Sequence, residues 1–163
     1  DRIVVMKDGY IHQCDTPLDV YSKPNDVFVA GFIGSPSMNF MDVQVERTSG
    51  LPRLYEGSLE FTVPKQYQDA LEKTDAGEVV LGIRPEDIHL AKEESETPNT
   101  FQMTVDVAEP MGSEVYLYFS TERHSLVARI EGNYDFGYQD EVTILFDLEN
   151  AHLFDKASGE RLN

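Results

Sequence analysis

The chain has 163 residues, enough for one well-packed domain or for one domain with a substantial arm, while two complete domains would be a tight fit. Its formal net charge of -17 argues against nucleic acid or anionic lipid as a partner, because binders of either draw affinity from Lys and Arg that neutralise phosphates. The longest nearly apolar run, Val27 to Gly34, falls far short of the roughly 20 residues that a membrane-spanning helix needs.

The acidity is unevenly spread. Residues 1–40 hold five acids and three bases, a net of -2, which leaves -15 for residues 41–163. Cys14 is the only cysteine, so no intramolecular disulfide can form and a reducing cytosol is the expected setting. The chain begins with Asp1 rather than Met, and Ile3-Val4-Val5-Met6 already reads as the inside of a strand, so it is expected to have been cut from something longer.

In chain order, the extended runs Ile3–Met6 and Tyr10–Gln13 flank Lys7-Asp8-Gly9. This is a hairpin signal, because Asp and Gly tolerate the positive φ of tight hairpin turns. His12 and Cys14 alternate along the second run and could share a face, but two ligands do not close a zinc site. Thr16-Pro17 opens a short helix, with Thr16 as N-cap and Asp19 in the first turn, and Pro24 stops it. Asn25 or Asp26 caps a second helix over Val27–Ile33, which ends near Gly34 and Pro36 and is apolar nearly all round, so it must be buried.

After Pro36 the apolar period changes to two. Phe40–Glu46, Thr104–Val107 and Val115–Phe119 alternate, with the tyrosines of the last counted as half-exposed. Arg53–Val63, Glu78–Ile83, Ser125–Ile130 and Glu141–Phe146 are further strands, and Ala151–Phe154 is a weaker one. A helix over Pro64–Lys73, with Tyr67, Ala70 and Leu71 on one face, interrupts them, and Lys92–Asn99 reads as an exposed loop. Many short strands between turn signals predict a small antiparallel barrel or sandwich.

Compact catalytic signatures are missing. The GxxxxG spacing at Gly77–Gly82 is followed by Ile83-Arg84 rather than Lys and Ser or Thr, so it lacks the ammonium and hydroxyl of a phosphate loop. No G-x-G, HExxH, CxxC or GxSxG occurs, and nothing brings particular Ser, His and acidic residues together. The chain itself is expected not to be an enzyme and to hold no catalytic, cofactor or metal residues.

Asp1–Ile11, Thr16-Pro17, Tyr21, Pro24, Phe28–Pro36 and Met38-Asn39-Phe40 closely resemble the ATP-binding subunits of carbohydrate ABC importers, the maltose and multiple-sugar importer ATPases in particular. Gly82-Ile83-Arg84-Pro85-Glu86-Asp87-Ile88 looks like the signature of that family's C-terminal regulatory domain. The resemblance implies a mainly β fold: residues 1–36 as a hairpin and two-helix arm from the end of an α/β nucleotide-binding domain, and residues 37–163 as an OB-like regulatory barrel. Where the family usually has a branched aliphatic and Gly before Thr16-Pro17, this chain has Cys14-Asp15, and Asp tolerates the left-handed backbone that such a turn would need.

By the same resemblance, ATP and Mg belong to an intact parent whose phosphate loop, signature loop, metal-positioning acid and switch histidine all lie upstream of Asp1. The implied partners are a second copy through the barrel, permease subunits through the nucleotide-binding domain, and in some relatives a regulatory protein, at the cytoplasmic face of the membrane. Regulatory or interdomain candidates are Ser35, Pro36, Met38, Asn39, Gly82, Arg84, Pro85 and Glu86. Ser35-Pro36-Ser37 has the stiffness of a hinge. Pro85 favours an extended Arg84, and an Arg84–carboxylate pair that pins the barrel is preferred over an effector contact.

Two other readings remain. One is a small-anion sensor built on backbone amides. The other is an OB-fold binder of single strands using Tyr116, Tyr118, Phe119 and Tyr134 as platforms, which the barrel's charge opposes. The arm is expected to expose apolar surface and to be covered by a second copy or folded back on the barrel.

Overall fold

The computed structural model describes residues 1–47, 51–92 and 97–163. Strands β1 (Ile3–Lys7) and β2 (Tyr10–Asp15) form the expected hairpin, and Asp8 and Gly9 both take positive φ at its turn. A register shift between Val5 and Met6 turns Val5 inward. Asp15 pairs with Ile3 as the last residue of β2 and needs no left-handed backbone, so the expected turn there is replaced by continued strand.

Helix α1 (Pro17–Ser22) starts on Thr16, whose Oγ accepts from the Asp19 amide at 3.2 Å. Helix α2 (Val27–Phe32) starts on Asp26, whose carboxylate accepts from the Val29 amide at 2.8 Å, so Asp26 rather than Asn25 is the cap. The expectation that α2 is buried all round is corrected. Val29 and Ala30 are buried, but Phe32 is 67% exposed, because the helix is only six residues long and has neighbours on two sides. Val29 meets Val5 and Val20 in a small core within the arm, and Ala30 meets Met38 and Phe154 of the barrel.

The rest of the described chain is mainly strand. Strands β3 (Asn39–Glu46), β4 (Arg53–Glu56), β5 (Leu59–Thr62), β6 (Glu78–Ile83) and β12 (His152–Asp155) form one antiparallel sheet in the order β12-β6-β3-β4-β5. Strands β7 (Ile88–Leu90), β8 (Thr100–Pro110), β9 (Glu114–Ser120), β10 (Ser125–Glu131) and β11 (Glu141–Phe146) form the other, in the order β10-β9-β8-β11-β7. Helix α3 (Lys65–Lys73) buries Tyr67, Gln68 and Leu71. The single strand expected over Arg53–Val63 is instead a hairpin that turns at Gly57, where φ is +56°. Four of the eight positions at 92–99, residues 93–96 of the expected loop, lie outside the described residues.

One core fills the space between the sheets. Phe61, Phe119 and Phe146 are fully buried and meet edge to face: Phe61 and Phe146 have centroids 5.4 Å apart, and Phe119 and Phe146 6.3 Å. Pairs of this kind add about 0.5–1.5 kcal/mol beyond the area they bury. Phe119 is therefore core and offers no stacking platform, whereas Tyr116 and Tyr118 alternate with it and stay half-exposed, as their positions in the strand require.

Polar side chains strap the two sheets together. The Asn39 amide donates to Val127 O at 2.9 Å and accepts from the Val127 N–H at 2.8 Å, joining β3 to β10. At the other end, the fully buried Glu56 carboxylate accepts from Thr121 Oγ1 at 2.6 Å, the Arg123 N–H at 3.1 Å and His124 Nδ1 at 2.8 Å. His124 Nε2 accepts from the Asp42 N–H at 3.1 Å, so Nδ1 carries the ring proton and donates it to Glu56. Burial alone would raise the Glu56 carboxyl, but these hydrogen bonds outweigh it and hold the group below the ordinary carboxylate range.

Candidate functional site

The strand β6 carries Gly82 and Ile83 to the edge of the barrel, and Arg84 continues in extended backbone at φ -76° and ψ 149°, as a residue before proline should. Pro85 then opens a short 3-10 turn over Pro85–Asp87. This geometry aims Arg84 out of the barrel and into the arm. The residue is 3% exposed.

The expected carboxylate partner is not what Arg84 meets. Nη1 donates to Ile33 O at 2.9 Å, just past the end of α2, and Nη2 donates to Tyr21 O at 2.5 Å, in the last turn of α1. The guanidinium also lies over the Tyr21 ring, 3.6 Å from its centroid. The Tyr21 hydroxyl in turn donates to the Glu86 carboxylate. Burial pulls the Arg84 pKa down, and the Tyr21 phenol and the Glu86 and Asp87 carboxylates oppose this. Burial and the Glu86 contact both push the Tyr21 phenol up.

A guanidinium suits this place because its planar fork can reach two helix-end carbonyls while its face stacks on a ring. Those carbonyls are among the acceptors that short helices leave without an internal partner. Gly34 completes the fit. Its φ is +121°, and a Cβ there would stand 3.0 Å from Arg84 Nη1.

The other candidates gather around the same joint. Ser35 is exposed and Pro36 half-buried on the connection that leaves α2, and the bond between them is cis. Met38 and Asn39 are buried where that connection enters β3. Gly82 lies beneath them: an added Cβ would be 2.7 Å from Met38 Sδ and 2.9 Å from a Phe154 ring carbon, so only glycine lets these side chains pack over the strand. His12, read from the sequence as part of a polar strand face, has Asp26 Oδ2 at 2.5 Å from its Nδ1.

Two parts of the joint escaped sequence reasoning. Gln13 is buried and holds the α1–α2 connection, donating to Lys23 O at 3.0 Å and accepting from the Asn25 N–H at 2.9 Å. The residues after β12 reach back as well: the Val27 N–H donates to Gly159 O and the Arg161 N–H donates to Asn25 O, each at 2.9 Å. A backbone strap leaves no mark in side-chain identity, so nothing in the sequence could have signalled it.

Across from Gly82, His152 is 8% exposed and its Nδ1 has no hydrogen-bond partner among the described residues. Burial lowers its pKa to about 4, helped by the positive charges of Arg161 and Arg84. The native ring therefore stays neutral while the unfolded ring takes up a proton near pH 6.5. Stability is unaffected above that pH and falls between about pH 6.5 and 4 by up to about 3 kcal/mol. Urea unfolding of wild type and His152→Phe should show the wild type losing ground to the variant over that window only, and parallel curves from pH 7 to 4 would refute the assignment.

Residues 34–88 match the MalK OB fold domain and residues 81–154 match the TOBE domain. The chain is 44% identical to the oligosaccharides import ATP-binding protein MsmX of Bacillus subtilis, over 99% of this chain and 44% of that protein. It is 36% identical to the osmoprotective compounds uptake ATP-binding protein GgtA of Synechocystis, over 96% of this chain and 43% of that protein. It is 37% identical to the putative uncharacterized ABC transporter ATP-binding protein YcjV of Escherichia coli, over 94% of this chain and 41% of that protein. The chain thus spans less than half the length of these curated relatives. No helix among the described residues is long and apolar enough to cross a membrane. With the matches to both barrel domains running through Arg84, the residue that clamps the arm, the chain carries a MalK-type OB fold and a TOBE domain and is similar along nearly its whole length to one part of the ATP-binding proteins of ABC transporters.

Proposed function

We propose that this chain is the regulatory and dimerising part of an importer ATPase, and that its joint couples the motion of a nucleotide-binding domain to a barrel that holds two subunits together. The supporting observation is the Arg84 clamp. A barrel residue that is almost wholly buried grips the ends of both arm helices, so arm and barrel are built to move as one piece. In this reading residues 1–36 close the nucleotide-binding domain and residues 37–163 form the regulatory domain. ATP and Mg are bound by the remainder of the intact subunit, and this chain binds and hydrolyses neither.

Permease subunits that carry sugar, and in some systems a regulatory protein, are the further partners, with the assembly on the cytoplasmic face of the membrane. The arm leaves Val4, Met6, Ile11 and Phe32 between 48% and 67% exposed, apolar side chains suited to packing against more protein. Sedimentation across a concentration range is expected to give a dimer, and ATP hydrolysis is expected in a chain extended upstream but not in residues 1–163. A monomer at every concentration would defeat the dimerising role, and hydrolysis by residues 1–163 alone would defeat the division of labour.

A further inference from the structure

A cleft of about 580 Å³ opens beside the clamp, between Tyr21 and Ser22 of α1 and barrel residues that include Tyr67, Glu149, His152 and Arg161. Its size falls within the roughly 300–1,000 Å³ of ordinary small-molecule sites. The clamp uses Arg84 and Tyr21, and on the far wall Gln66 and Tyr67 donate to Glu149 while Asn150 donates to Asp87, which leaves His152 and Arg161 outside these bonds.

Among the described residues, one group on that wall is buried without a partner and a second is a half-buried cation without an ion pair. His152 is more than nine-tenths buried and is one of the residues lining the cleft, and its Nδ1 has no partner among the described residues. The Arg161 guanidinium is partly desolvated and makes no hydrogen bond or ion pair with any described residue. A buried polar atom without a partner costs about 1–3 kcal/mol, so this wall is incomplete as it stands.

Charge narrows what could complete it. Glu86, Asp87 and Glu149 share the lining with Arg84 and Arg161, so with a neutral His152 the carboxylates outnumber the cations. A phosphate or sulfate would face that excess in a chain already at -17. A simple cation would face two guanidiniums. A hydroxyl group fits both kinds of wall, because it can donate to a carboxylate and accept from a guanidinium. It also satisfies His152 Nδ1 in either neutral tautomer, whereas an oxyanion can satisfy only the N–H form. Tyr67 and Ala151, both largely buried, make part of the lining apolar.

We propose that this cleft binds a neutral polyhydroxylated ligand of mono- or disaccharide size, with Arg161 and His152 as its anchoring donors and acceptors and Glu86 and Glu149 accepting from its hydroxyls. The inference rests on the chemistry of the cleft and stands apart from the proposed role in dimerisation. Because Tyr21 and Ser22 belong to the arm and the anchors to the barrel, an occupied cleft stiffens the joint between them.

The test is a titration of the 163-residue chain with maltose and with glucose, followed by amide chemical shifts and by calorimetry, with sodium sulfate and sodium phosphate as separate arms. The expected result is millimolar sugar binding, with shifts centred on residues 84–87, 149–152 and 161. Arg161→Met should weaken binding about tenfold, the loss of one charge-assisted hydrogen bond. Shift mapping on the wild type keeps the test decisive if that variant misfolds. No shift with either sugar, shifts elsewhere on the surface, unchanged affinity in a folded Arg161→Met, or sulfate and phosphate binding in place of the sugars would each overturn the proposal.

Discussion

Replacing Arg84 with Ala is expected to release the arm from the barrel. The change removes two charge-assisted hydrogen bonds and the stack on Tyr21, and it leaves Ile33 O and Tyr21 O without their donors. At about 1.5–3 kcal/mol for each charged hydrogen bond, the loss should come to about 3–5 kcal/mol. It should also be local. Amide exchange over residues 16–33 should accelerate by orders of magnitude while the strands of the barrel keep their protection, because the barrel core does not include the guanidinium. Arg84→Lys should recover only part of the loss, since an ammonium cannot span both carbonyls and stack as well. Protection over residues 16–33 that survives in Arg84→Ala would show that the clamp is dispensable.

Glu56→Ala should destabilise the barrel itself, again by about 3–5 kcal/mol, because it removes a wholly buried carboxylate that accepts from three donors at once. The Thr121 hydroxyl, the Arg123 amide and His124 Nδ1 would all lose one acceptor at once. Glu56→Gln keeps an oxygen in place and should cost less. Since the native carboxyl is held low, this stabilisation is present at neutral pH and above the ordinary carboxylate range. It drains away as the pH falls through the lowered value. Guanidinium unfolding of both variants at pH 7 would measure the difference, and an alanine variant as stable as the parent would remove Glu56 from the list of straps.

Much of this architecture was legible because its causes are local. The hairpin follows from Asp8-Gly9, the two arm helices from Thr16 and Asp26, and the strands from alternation that survives into the burial of Val115, Leu117 and Phe119. Where the reading failed, the deciding partner was distant. Arg84 was matched to a carboxylate because carboxylates are visible in a sequence, whereas its true acceptors are main-chain carbonyls that every residue possesses. The hairpin within residues 53–62 was missed because Gly57-Ser58 interrupts the pattern for only two positions. The short strand β7 exists only because β11, far along the chain, pairs with it. Glu56 looked like one more acid in an acidic chain, and only the fold shows that it is wholly buried.

The strap between residues 25–27 and 159–161 also sets an order of events. The arm leaves the ribosome well before the segment that holds it, so during synthesis α1 and α2 have neither the strap nor Arg84 to dock on. Closing a loop of that length costs entropy that contacts made by the intervening barrel offset, so the strap cannot form before residues 159–161 have been made. Until then the side of the arm that meets the barrel lacks its partner, and the interval before docking is when that side is most open to a chaperone or to a neighbouring copy.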